Sequence, residues 1–197
     1  MQELDGGLSE WTRFDHMQIW ARGARRDIAL YSGTGLLVPD RVGAGWRPFA
    51  RALDRFAQVG LIRGLDSRAR CRLGMAGRNP NQREAQSLLK GAEGHARAIL
   101  REKTHWGDPL AHLIRAGAAS TRGETERALG LLESAEAGFT AADMALHLAV
   151  TRRRRGELLG GDAGGGLVAA ANAWMSAQAI KNPERMTAML APGRWLQ

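Results

Sequence analysis

The chain has 197 residues, 28 Lys and Arg against 20 Asp and Glu, a formal net charge of +8 and a single cysteine. That length suffices for one buried core or about five helix pairs. Cys71 alone excludes an internal disulfide and a thiolate metal cluster, and no apolar run approaches the roughly 20 residues of a membrane-spanning helix.

The start, Met1-Gln2-Glu3-Leu4-Asp5, lacks the basic-then-apolar order of a secretion signal, so the expected location is cytoplasmic. Residues 1–8 read as a solvated segment, and 9–76 as N-terminal helical repeats. Ser9 is placed to cap a helix carrying Phe14, Met17, Ala21, Ala24, Ile28 and Tyr31 on one stripe, ended by Ser32-Gly33. A poorer helix follows from Leu36 to Trp46, weakened by Pro39, Gly43 and Gly45. From Phe49 to Met75, Ala57, Leu61, Leu65, Ala69 and Leu73 recur at steps of four, and Gly60 and Gly64 mark a break or a close helix crossing. Cys71 in this helix reads as a buried, inert thiol.

Residues 77–82 form a loop around Asn79-Pro80-Asn81. Residues 83–193 then read as C-terminal tetratricopeptide-like repeats with a terminal capping helix. Ala85, Leu88, Leu89, Ala92, Ala96, Ile99 and Leu100 make a clean amphipathic helix. Asp108-Pro109 has the form of a helix start, with Asp as the cap, and Leu110, Leu113, Ile114, Gly117 and Ala118 fall on one face. After Gly123-Glu124, a second helix turns Ala128, Leu129, Leu131, Leu132 and Ala135 inward. Thr140 with Asp143 resembles a capping box opening a third helix toward Leu158. After Gly161-Asp162 a fourth places Leu167, Ala171, Trp174, Met175 and Gln178 on a stripe. Gly123, Leu129 and Ala135 thus correspond to Gly161, Leu167 and Ala173 at a spacing of 38, near the roughly 34-residue tetratricopeptide period. The small Ala116, Gly117 and Ala128 suit close helix pairs, and bulky replacements there should overpack. Asn182-Pro183 opens a last short helix that stops before Pro192-Gly193 and should cover the end of the last hairpin. No segment alternates as a strand. The predicted class is all-α, a tetratricopeptide-like stack of antiparallel helix pairs, or α-solenoid.

The runs Gly138-Phe139-Thr140-Ala141-Ala142-Asp143-Met144, Arg152-Arg153-Arg154-Arg155-Gly156-Glu157-Leu158, Ala173-Trp174-Met175 and Asn182-Pro183-Glu184-Arg185-Met186 resemble the C-terminal helical region of large bacterial serine/threonine protein kinases. The resemblance covers residues 105–193 best and 10–76 more weakly. It implies a helical repeat array attached to a signalling enzyme. The glycine-rich phosphate loop, the catalytic His-Arg-Asp and the metal-binding Asp-Phe-Gly do not occur in the chain, so kinase activity does not carry over. The chain reads either as the tail of a longer frame or as a free-standing scaffold.

No catalytic, cofactor-binding or metal-ligating set emerges. His16, His95, His105, His112 and His147 lack metal spacing. Gly160 to Gly166 precedes a helix, as phosphate-binding loops do, but without the Lys and Ser/Thr of such loops it reads as a repeat turn. The candidates are partner contacts: Trp106 and Trp195, at a linker and near the C-terminus, as exposed aromatic contacts, and Arg152, Arg153, Arg154 and Arg155 for an acidic or phosphate partner. Four successive helical residues span more than a turn, so at least one of these arginines lies near the core edge. The expected function is a noncatalytic scaffold binding a protein segment or an adjacent signalling domain. The alternative is a basic nucleic-acid-binding helical protein, although 25 of the 28 basic residues are arginines scattered over most helices.

Overall fold

A computed structural model describes residues 15–33 and 56–195. Over those residues the chain is all-α, with eight helices and no strand. They are α1 (Asp15–Ser32), α2 (Phe56–Arg78), α3 (Gln82–Arg101), α4 (Asp108–Arg122), α5 (Thr125–Ala141), α6 (Ala145–Leu159), α7 (Gly161–Ala177) and α8 (Pro183–Leu190). The expected solvated start, the cap at Ser9 and the helix from Leu36 to Trp46 lie outside the described residues.

Short turns pair the helices as α2–α3, α4–α5 and α6–α7, and each hairpin packs on the next through α3–α4 and α5–α6. The amphipathic stripes explain the pairing. In α3, Leu89, Ala92, Ala96 and Ile99 are buried at helical spacing, and α4 is buried nearly throughout, from Pro109 to Ser120. Phe139 of α5 is the largest side chain that is completely buried among the described residues. Cys71 is buried as expected. The α2 helix runs unbroken through Gly60 and Gly64, because nothing crosses near Gly60 and the helix packs on either side of it.

Helix ends follow local chemistry, with two departures from the sequence reading. The Asn81 and Asn182 side chains accept from the first amides of α3 and α8, and Gly123, at φ +83°, closes α4 in the left-handed conformation. Asp108 does not cap α4: it lies inside the first turn, and Gly107 holds the cap position without a side-chain bond. Thr140 does not open α6 either. Its hydroxyl donates back to the Glu136 carbonyl at 2.8 Å, so α5 runs on to Ala141, and α6 begins only at Ala145, after Asp143 at φ +53°.

The α6–α7 hairpin is tighter than its sequence advertises. A Cβ on Gly156 would lie 2.6 Å from the Gly164 carbonyl oxygen, and one on Gly164 would strike the Gly156 carbonyl. Within Gly160–Gly166, Gly164 is therefore the place where the α7 backbone touches that of α6, at Gly156. Gly164→Val should cost about 1–3 kcal/mol, the usual range for overpacking. Gly165→Ala, with open space around it, should instead stabilise by about 0.5–1 kcal/mol through helix propensity. Urea denaturation of both variants checks the opposite signs.

The remaining helices do not extend this series. Helix α8 packs on α1, α6 and α7, and α1 packs on α2. Helix α8 thus bridges from the last hairpin back to the N-terminal helix as well as covering the hairpin end. Helix α1 also buries a different stripe from the predicted one. Arg26 and Leu30 are buried, whereas Ile28 is 41% exposed and Ala24 is exposed. The cause is polar: Arg26 Nε donates to the Ser67 hydroxyl of α2 at 2.9 Å, and Asp27 pairs with Arg70.

Candidate functional site

The four arginines of α6 separate by direction. Arg152 and Arg155 both reach Glu136 on α5, at 3.6 and 2.9 Å. Arg153 turns to Asn172 of α7 at 3.0 Å and to Glu157, and Arg154 pairs with Glu157 at 2.6 Å. Two carboxylates therefore pair with all four guanidinium groups, with Arg152 still 50% exposed. Arg154 is the one at the core, as the helical geometry requires. Its burial pushes its pKa down, and Glu157, shared with the neighbouring Arg153, does not restore it.

The two tryptophans are not exposed contacts. Trp106 is half-buried against the core. Trp195 is only 3% exposed, correcting the expectation from its place near the chain end. Its indole Nε1 donates to the Ala191 carbonyl at 2.9 Å, and the Arg154 guanidinium carbon stands 5.4 Å from its ring centroid. A Cβ on Gly117 of α4 would come within 3.4 Å of the ring. The indole is thus seated between α4 and α6.

That indole ends an irregular stretch that leaves the end of α8 and lies across α2, α4 and α6. Arg70 Nη1 donates to the Met189 carbonyl at 3.0 Å, and Arg154 Nε to the Ala191 carbonyl at 2.9 Å. The Ser120 hydroxyl donates to the Arg194 carbonyl at 2.6 Å, while the Arg194 amide donates to Thr121 Oγ1 at 3.1 Å. Glycines clear the path. A Cβ on Gly77 would lie 3.1 Å from the Gly193 carbonyl carbon, and one on Gly117 would lie 3.1 Å from the Pro192 oxygen. Gly193 itself has φ +129°, and a Cβ there would approach Thr121 Oγ1 to 3.0 Å.

Comparison with known proteins adds no candidate. No protein family, curated protein or solved structure matches the chain. The chemistry must therefore be read from the residues in place.

Arg70 is the hub beneath the stretch. Burial pulls its pKa down, but Asp66 at 2.9 Å and Asp27 at 2.8 Å more than offset that, so it is held above the ordinary arginine value. Sequence reasoning missed Arg70, Ser120 and Thr121, and of the residues that hold the stretch it flagged Gly117 and Arg154. On the outer side, Arg122 of α4 grips Glu93 of α3 through both nitrogens, at 2.8 and 3.1 Å, and this hydrogen bonding holds Glu93 below the usual carboxylate range.

His147 of α6 stacks on Phe139, with centroids 5.2 Å apart, and feels Asp66, Arg70 and Arg63 of α2. Burial, reinforced by Arg70 and Arg63 against Asp66, holds it below the ordinary 6.5. The unfolded chain binds the proton more tightly, so this contribution to stability is complete above 6.5 and is lost as pH falls. Unfolding free energies should decrease from neutral to mildly acidic pH. His147→Gln should shrink that decrease, with depressed His112 supplying what remains. An unchanged slope would refute the assignment.

Among the described residues no three His, Cys, Asp or Glu side chains gather in a way that could hold a metal ion, and no helix is long and apolar enough to cross a membrane. What the α2–α4–α6 surface offers is recognition of main-chain groups: donors and an acceptor at set positions, glycines that admit main chain, and an indole seat.

Proposed function

We propose that the chain is a noncatalytic helical-repeat scaffold of tetratricopeptide-like hairpins, whose inner face, made by α2, α4 and α6, binds a protein segment or an adjacent signalling domain. Two spacings support the repeat reading. Helices α4 and α6 open at Asp108 and Ala145, 37 residues apart, and α5 and α7 at Thr125 and Gly161, 36 apart, both near the tetratricopeptide period. Stacked hairpins of this kind generate an extended groove.

The observation that carries the reading is the seating of Met189–Trp195, the end of α8 and the irregular segment after it, where side chains of α2, α4 and α6 read main-chain groups. The resemblance to helical regions of bacterial serine/threonine kinases supports a place beside a signalling domain. The nucleic-acid reading rests on the net charge, and of the densest arginine run Arg153, Arg154 and Arg155 are engaged by Glu157 and Glu136 while Arg152 stays 50% exposed.

Affinity capture from native extract, with nuclease treatment and crosslinking at low and high salt, tests the proposal. A defined protein retained after nuclease and at high salt, crosslinked to α2, α4 or α6, is the expected result. Crosslinks confined to α3, α5 and α7, or recovery that depends on nucleic acid and vanishes with salt, would overturn it.

A further inference from the structure

We infer that the inner face is a sequence-reading peptide site whose ligand, in a partner protein, is a short non-helical segment of the form small residue, proline, glycine, any residue, tryptophan, and that Ala191–Trp195 occupies it in cis as an internal copy of that ligand. The inference rests on the scaffold reading above and assigns the ligand of the same face.

Each position of the motif follows from its surroundings. Ala191 is 3% exposed and its carbonyl receives both Arg154 Nε and the Trp195 indole, so the first position is small and its oxygen is read. Pro192 is buried; its Cβ is 3.7 Å from where a Cβ on Gly74 would stand. Proline suits a position where no amide donor is used and where its fixed φ lowers the cost of ordering the chain. The third position must be glycine, since a side chain meets Thr121 Oγ1 and the backbone is in the region L-residues avoid. At the fourth position only the main chain is used, its amide on Thr121 and its carbonyl on Ser120, while the Arg194 side chain is exposed. The fifth is the anchor: an indole between Gly117 and Arg154. Gly117 and Arg154 are 37 residues apart, the same displacement that relates the starts of α4 and α6. The indole is therefore held by equivalent positions of successive hairpins, as a ligand running along a repeat array would be.

Ala191 and Trp195 belong to the hydrophobic core, and the segment between them is attached through its main chain. The described part of the chain after α8, Ala191–Trp195, has no helical or strand structure, and three of its cross-face hydrogen bonds involve main-chain groups that any peptide of the same form can offer. Leaving the face would return Arg154 to water with Glu157 still beside it. A tethered segment competes at an effective concentration on the order of millimolar, so a free peptide with the same contacts meets a largely occupied site. Weakening the internal copy should expose it.

The test is fluorescence anisotropy with a labelled synthetic peptide of residues 187–195, titrated with the full chain as wild type, Trp195→Ala and Gly193→Val. The first variant empties the indole seat. The second unseats the segment while leaving the helices untouched. Both variants should bind the peptide at least about tenfold more tightly than wild type, as removal of a millimolar internal competitor requires. A peptide with alanine in place of its tryptophan should not bind. Equal binding by wild type and by variants that keep the helical circular dichroism signal, or equal binding of the alanine peptide, would overturn the assignment. So would loss of the helical signal in both variants, which would make the segment a folding requirement, or a concentration-dependent dimer of Gly193→Val, which would make a second copy the occupant. If the peptide fails while a captured protein still crosslinks to α2, α4 or α6, the scaffold reading stands and only this ligand falls.

Discussion

Trp195→Ala is expected to lower stability by about 3–5 kcal/mol, the usual cost of truncating a buried tryptophan. The ring is 3% exposed, so the substitution removes its packing against α4, its hydrogen bond to the Ala191 carbonyl and its face under Arg154 in one step. For a chain of this size each kcal/mol shifts the melting temperature by about 2–4 °C, so the midpoint should fall by roughly 6–20 °C. Enough stability should remain in a typical domain for the variant to fold at low temperature. Trp195→Phe separates the contributions. It keeps an aromatic ring in the seat and loses the indole donor, at about 1 kcal/mol, because the Ala191 oxygen still accepts from Arg154. Thermal and urea unfolding give both numbers. A Trp195→Ala cost below about 1 kcal/mol would mean that the ring is not packed as described.

How much of this was readable beforehand depends on what each helix packs against. The α3 and α4 stripes, Leu89, Ala92, Ala96 and Ile99 in one and Leu110, Leu113 and Ile114 in the other, were legible because both helices bury apolar faces against apolar neighbours. Helix α1 misled because its contacts with α2 are polar. A rule that looks for an apolar stripe picks Ile28, which is 41% exposed, over Arg26, which is buried on Ser67. Geometry along one helix correctly required one arginine of the α6 run near the core, but the partner of Arg152 and Arg155 is Glu136 on another helix, and pairing across elements leaves no periodic mark. Trp195 follows a proline and a glycine, signals that locally mean the end of structure. Its burial is a tertiary fact, set by Gly117 and Arg154, and the glycines that admit the segment look like ordinary weak points of a helix until the segment is placed on them.

Arg70→Met should be the second large loss, because one guanidinium joins three elements: Asp27 of α1, Asp66 of α2 and the Met189 carbonyl in α8. Methionine fills much of the volume, so the cost isolates charge and hydrogen bonding. Removing one member of a buried ion pair usually costs about 3–5 kcal/mol, because the remaining charge is left without a partner. Here the two carboxylates differ. Asp66 is 14% exposed and stays desolvated, whereas Asp27 is 37% exposed and can be hydrated. The expected loss is therefore near the lower end, about 3 kcal/mol, with a fall in melting temperature of roughly 6–12 °C. Asp66→Asn should accordingly cost more than Asp27→Asn. Arg70→Lys should recover only part of the stability, since a single ammonium cannot reproduce a planar fork directed at two carboxylates and a carbonyl. Because Arg70 also holds α8 through Met189, the loosened variant should show faster amide exchange in both α1 and α8, while α3 to α5, which share no hydrogen bond with Arg70, keep theirs. Unfolding energies for the four variants with hydrogen exchange on Arg70→Met decide the matter: a loss under about 1 kcal/mol, or exchange unchanged in α1 and α8, would remove Arg70 as the joint between the two ends of the described chain.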